Sequence, residues 1–238
     1  MAETSDRRHR QRGDRALVPA KRLAGPHIIV SDADVRLGVK ALRRRCAIMR
    51  MVHDAAGDPP LRRRAAGFEG LARIIVGQQL SVASASAIWL RTARLCQPFE
   101  PAVLAALEDA QLAAAGLSRG KIRTLRAISA ACGNGLDLAR LEASSEAEIH
   151  DALTAISGVG PWTADIYILF CLGRSDAFAP GDLALQIGAQ RALGLKQRPN
   201  TEELREIAER WRPWRGVAAR LLWTYYAHLK NVARASPL

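Results

Sequence analysis

From Ser31 onward, apolar residues recur at helical spacing along almost the whole chain. Phe68, Leu71 and Ile75 fall at i, i+3 and i+7, and Ile122, Leu125 and Ser129 repeat that spacing with Cys132 a turn later. Each such segment carries one apolar stripe on a helix face. Strand signals are few, since the run at 28–30 is short and no pair of β-branched runs flanks a two-residue hairpin turn. Turn chemistry at Asp58-Pro59-Pro60, Gln97-Pro98, Gly133-Asn134-Gly135, residues 157–160, Ala179-Pro180-Gly181 and Arg198-Pro199-Asn200 cuts the chain into segments of ordinary helix length. The pattern predicts an all-α fold of about nine or ten helices.

One break has chemistry of its own. Ser145 followed by Glu148 has capping-box spacing ahead of the apolar positions Ile149, Ala152, Leu153 and Ile156, so a helix begins there. It must stop at Ser157-Gly158-Val159-Gly160, where two glycines supply dihedrals that other residues resist, and Pro161 then suits the first turn of a new helix. A hairpin of this kind leaves backbone N–H groups pointing outward at a helix N-terminus, where the dipole also favours an anion. A DNA phosphate fits that description without regard to base sequence, with Val159 as the hydrophobic pin of the turn. The same residues also read as a plain helix–helix connection.

Charge favours a polyanion. The chain has 238 residues and a formal net charge of +12, a surplus suited to nucleic acid. Residues 1–24 hold Arg7, Arg8, Arg10, Arg12, Arg15, Lys21 and Arg22 with little aliphatic periodicity, and are expected to form a disordered basic arm. Cys46, Cys96, Cys132 and Cys171 are too far apart for a zinc knuckle or an iron–sulfur run, so reduced thiols, no metal and no cofactor are expected. No apolar stretch approaches the roughly 20 residues that cross a bilayer, and the N-terminus is charged rather than apolar. An intracellular protein without membrane attachment is expected.

The string Leu153-Thr-Ala-Ile-Ser-Gly-Val-Gly-Pro-Trp-Thr-Ala164 resembles the helix-hairpin-helix signature of the base-excision DNA glycosylase superfamily. Asp182, within Pro180-Gly181-Asp182-Leu183, follows Trp162 at a spacing similar to that between hairpin and catalytic aspartate in that superfamily. The segment Trp211-Arg-Pro-Trp-Arg215 with Leu222-Trp-Thr-Tyr225 is similar to the closing segment of the 3-methyladenine DNA glycosylase II family. The resemblance spans about residues 65–228. It implies two helical lobes, 67–178 forming one and 25–66 with 179–238 the other, and an active site in the cleft between them.

The resemblance also implies roles. Asp182 would stabilise the positive charge that builds on the sugar as an N-glycosidic bond breaks, and orient or deprotonate water. From its local sequence alone Asp182 reads first as a helix N-cap, and the hairpin upstream turns the reading toward catalysis; the two roles are compatible. Trp162 and Trp223 would wall the base pocket, and Ile166 stands where a family member carries an aromatic residue. Trp89, Trp211 and Trp214 read as core. Gly158, Val159, Gly160 and Thr163 would meet DNA phosphate. The loop Ile75-Val-Gly-Gln-Gln-Leu-Ser81 resembles the family's intercalating loop, with Gln79 as the wedge beside Gln78 and Leu80. In Gly116-Leu-Ser-Arg-Gly-Lys121, Ser118 would cap a helix and Lys121 would touch phosphate.

Family members that nick the backbone use a lysine near the start of the helix after the hairpin. Here that place holds Trp162, and the five lysines are Lys21, Lys40, Lys121, Lys196 and Lys230. The expected protein is therefore a monofunctional, monomeric glycosylase acting on alkylated purines in double-stranded DNA. A non-catalytic DNA-damage binder and a glycosylase for oxidised or deaminated bases are the alternatives.

Overall fold

The computed structural model describes residues 27–235; the basic arm expected at 1–24 lies outside the described residues. The chain enters by pairing Ile28 with Arg174 in an isolated antiparallel bridge. It then forms α1 (Asp32–Arg45), α2 (Ala47–Ala56), α3 (Gly67–Gly77), α4 (Val82–Leu95), α5 (Pro101–Ala106), α6 (Asp109–Ala114) and α7 (Arg119–Gly133). There follow α8 (Leu138–Leu141), α9 (Glu146–Thr154), α10 (Pro161–Tyr167), α11 (Leu183–Leu193), α12 (Thr201–Ala208) and α13 (Arg215–Ala235). The fold is all-α among the described residues, with more helices than the nine or ten expected. The excess arises because α5, α6 and α8, at 6, 6 and 4 residues, are too short to display an apolar period.

Local chemistry sets the helix boundaries. Ser31–Asp34, Ser145–Glu148 and Asn200–Glu203 each form a reciprocal capping box, which satisfies two otherwise orphaned first-turn donors. Ser81 and Ser118 cap α4 and α7. Pro101 and Pro161 open α5 and α10, where a missing N–H costs nothing. Past Tyr167 the backbone widens into one π-helical turn, Ile168–Leu172, and stops at Gly173 with φ 72°.

Two groups of helices share a continuous core. Around α13 pack α1, α2 and α11, while α3 packs against α4, α7 and α10. The stripe residues Phe68, Leu71, Ile75, Ile122, Leu125 and Ser129 are buried, as are Trp89, Trp211 and Trp214. Arg220, on α13, stitches the groups together from within the core. Its guanidinium donates to the carbonyls of Leu61, Gly216 and Leu169 and lies 5.0 Å from the centroid of the Phe170 ring. Burial brings its pKa down to about 10, still well above neutrality, so the buried cation is held by carbonyls and a π-face. All four cysteines are free thiols. No helix among the described residues is long and apolar enough to cross a membrane.

Candidate active site and nucleic-acid interface

Asp182 sits at the N-cap of α11, where its Oδ1 accepts from the Leu185 backbone N–H at 3.0 Å. The same oxygen accepts from Trp223 Nε1 at 3.0 Å, and Oδ2 accepts from Trp162 Nε1 at 2.8 Å. One carboxylate therefore collects donors from α10, α11 and α13, and the cap role and a site role coincide in it. Three N–H donors fix its orientation, and an ionised carboxylate has about four acceptor positions, so capacity remains for a water. Both indoles are half-buried, which leaves part of each ring for a ligand.

The structure adds a ring that the sequence did not announce. Phe170 stacks on Trp223 with centroids 5.4 Å apart and planes at 28°. It lies inside the unbroken apolar run 166–172, where periodicity cannot separate a pocket-supporting ring from core. Ile166, expected to shape the pocket in place of an aromatic residue, is instead buried in the core at 5% exposure. The aromatic neighbour of Trp223 comes one helical turn later.

The hairpin between α9 and α10 needs one of its two glycines for conformation. Gly158 has φ 85°, and a Cβ there would fall 2.1 Å from Thr124 Oγ1. Gly160 has φ −93° and a Cβ there would meet nothing within 4 Å, so the expectation that both glycines supply special dihedrals is corrected at this position. As N-cap of α10, Gly160 has no side-chain cap; Pro161 carries no N–H and the Thr163 N–H donates to the Gly160 carbonyl at 2.9 Å, so the Trp162 amide is the first-turn N–H that no cap covers. Val159 is buried and its N–H donates to the Ile156 carbonyl at 3.0 Å, pinning the turn.

Beside the hairpin lies the loop after α3. Gln79 has φ 57°, unusual for a residue with a side chain. Gln78 Nε2 donates to Thr163 Oγ1 at 2.9 Å, tying the loop to α10. Leu80 and Val82 are exposed beyond it, Val82 at 86%. A cavity of about 440 Å³ joins loop and hairpin, lined by Gln78, Gln79, Lys121, Thr124, Ser157 and Gly158. Lys121, expected at phosphate, is engaged elsewhere: its Nζ donates to the carbonyls of Val76 at 2.7 Å and Gln78 at 2.9 Å. An ammonium a few residues into a helix ordinarily reaches solvent; here it closes on the C-terminal end of α3.

Comparison with known proteins places this geometry. Residues 72–213 match the model of the HhH-GPD superfamily base excision DNA repair protein family. The alkylbase DNA glycosidase-like protein mag2 of Schizosaccharomyces pombe is 30% identical over 164 residues, covering 66% of this chain and 77% of the relative. The crystal structure of a DNA-3-methyladenine glycosidase from Bacillus halodurans superposes with a TM-score of 0.70 at 31% identity, covering 82% of this chain and 91% of that one. The Schizosaccharomyces pombe 3-methyladenine DNA glycosylase Mag1, solved with abasic DNA, superposes with a TM-score of 0.70 at 26% identity, covering 80% and 95%. The chain belongs to the helix-hairpin-helix superfamily of base-excision DNA repair proteins, and it is a DNA-binding glycosylase of that superfamily. Within the superfamily it stands with the branch whose members are named 3-methyladenine DNA glycosylases.

Proposed function

We propose that the protein flips alkylated purines of the 3-methyladenine and 7-methylguanine type out of duplex DNA. It hydrolyses their N-glycosidic bond as a monofunctional, monomeric enzyme. The observation that carries this reading is the convergence of two indole N–H groups on Asp182, which builds an aromatic wall and a carboxylate as one unit. An N3- or N7-alkylated purine is a cation, and each indole face it stacks on contributes about 0.5–2 kcal/mol. When its bond to C1′ breaks, the electron pair leaves with the base, which departs neutral, so little acid catalysis is required. Positive charge appears on the sugar instead, next to the carboxylate. A water then bonds to C1′ and gives its proton to Asp182 or to solvent, leaving an abasic site.

The remaining roles follow from position. The uncapped start of α10 with Gly158, Val159, Gly160 and Thr163 takes phosphate. Gln79, with Gln78 and Leu80, fills the gap in the stack. The lobe 67–178 carries both, the segments 25–66 and 179–238 form the other lobe, and Asp182 lies between them. No lysine stands between the hairpin and Asp182, and Lys121 is committed to carbonyls, so hydrolysis without strand cleavage is the expected outcome. The reading is tested by incubating methylated duplex DNA with wild type and Asp182→Asn, scoring free base, abasic sites and strand breaks separately. Asparagine caps a helix as well as aspartate does, so the variant can keep the Leu185 cap while losing the charge and the acceptor for the Trp162 indole. Base release that depends on Asp182, with unbroken abasic sites, supports the proposal; binding without release by either protein favours a damage binder, and broken strands exclude the monofunctional mechanism.

A further inference from the structure

We infer that Lys121 is a positioning residue for strand intercalation rather than a phosphate ligand. The inference rests on the proposed role of the 78–80 loop as a wedge. The last turn of any helix leaves carbonyls without partners, and a cation there satisfies both hydrogen bonding and the dipole. Lys121 does this for α3 from another helix: Nζ donates to Val76 O at 2.7 Å and to Gln78 O at 2.9 Å, across 45 and 43 residues of sequence. Burial lowers its pKa from the ordinary lysine value, but two carbonyl acceptors favour the charged form.

The two bonds bracket the backbone just before Gln79, which is held at φ 57°. On the other side Gln78 Nε2 donates to Thr163 Oγ1, and Thr163 adjoins Trp162, whose indole N–H donates to Asp182. The wedge loop is thus fastened to α7 by Lys121 and to α10 by Thr163, so a continuous run of hydrogen bonds and chain neighbours links wedge, phosphate hairpin and Asp182. A wedge must push against the stack as the nucleotide leaves, and a loop free to recoil loses the energy of insertion to its own motion. Two of the three ammonium donors are spent on this, which is why a direct phosphate contact is the weaker assignment.

The test uses the full-length chain with Lys121→Met, Lys121→Arg and Thr163→Val. Base release is measured in single turnovers on two duplexes, one with the alkylated purine normally paired and one with it opposite an abasic-site analogue, where flipping costs less. Because flipping costs a few kcal/mol, Lys121→Met is expected to slow release from the paired duplex by roughly 10- to 100-fold. On the unpaired duplex the loss should be within about threefold, and arginine should recover most of the rate. Thr163→Val frees the loop from the other side while leaving Lys121 intact; because Thr163 also borders the proposed phosphate site, its rates are read at saturating enzyme, where the loss should again be larger on the paired duplex than on the unpaired one, and it decides the question even if Lys121→Met fails to fold. A 2-aminopurine beside the lesion, read with Asp182→Asn so that no excision occurs, should report less unstacking for Lys121→Met.

Equal losses on both duplexes, or a uniform loss of affinity with a shallower salt dependence, would overturn the inference and return Lys121 to chemistry or phosphate. A wild-type rate for Lys121→Met would overturn it as well. Absence of base release by the wild type would instead sink the glycosylase reading, and the 2-aminopurine signal would still report on the wedge.

Discussion

At the scale of single residues, the site turns on which atoms meet at one carboxylate. Trp162 and Trp223 each combine a stacking face with an N–H that donates to Asp182. Phenylalanine at either position keeps a stacking face and removes the donor, so it separates holding the base from aiming the carboxylate. Trp162→Phe and Trp223→Phe are each expected to lower single-turnover base release by about tenfold, in line with loss of one preorganised hydrogen bond. Affinity for lesion-containing duplex, measured by fluorescence anisotropy, should change much less. If affinity falls as far as the rate, the indoles act by stacking alone and the hydrogen bonds to Asp182 are incidental.

At the scale of elements, the hairpin separates conformational from functional glycine. Gly158→Ala would place a methyl 2.1 Å from Thr124 Oγ1 at a φ of 85°, and is expected to cost about 1–3 kcal/mol of stability in denaturant unfolding. Gly160→Ala meets open space at an ordinary φ; it should leave stability within about 0.5 kcal/mol while weakening duplex binding, because the methyl crowds the approach to the hairpin and the Trp162 amide. The same contrast explains what was legible beforehand. The capping box at Ser145 and Glu148, Pro161 at the start of α10 and Asp182 as the cap of α11 are encoded within a few residues, and each stands where the sequence implied. The bonds from Trp223 to Asp182 and from Lys121 to α3 span 41 to 45 residues. They exist because helices pack, and no local period records them. Phe170 is illegible for the related reason that an all-apolar run has no polar face to orient it, and at Gly160 a glycine in the sequence does not say whether φ or bareness is wanted.

At the scale of the whole molecule, charge buried between distant parts of the chain sets how stability follows pH. A cavity of about 240 Å³ behind the Pro180 turn is lined by Glu146 and His150 of α9, Asp165 of α10, Arg205 of α12 and Arg215 of α13. It therefore joins the hairpin helices to the C-terminal ones. Burial pushes the Asp165 carboxyl up to about 7, against the attraction of Arg205 and Arg215 and with Glu146 adding to the rise; His150 Nε2 lies 3.9 Å away. An acid whose folded pKa exceeds its unfolded value of 3.8 is bound more tightly to its proton in the native state. Its contribution is fully present below the unfolded value and is lost as pH rises through the folded one. Asparagine mimics the protonated acid and does not titrate, so the difference between Asp165→Asn and wild type isolates this carboxyl. The midpoint of thermal unfolding of Asp165→Asn should match wild type near pH 4 and exceed it progressively up to pH 8, with most of the gain arriving by about pH 7. A gain that is flat with pH would mean that Asp165 is ionised throughout and that the two arginines, not burial, govern it. A variant less stable at pH 8 than wild type would mean that the carboxylate is a working partner of those arginines in joining the two ends of the chain.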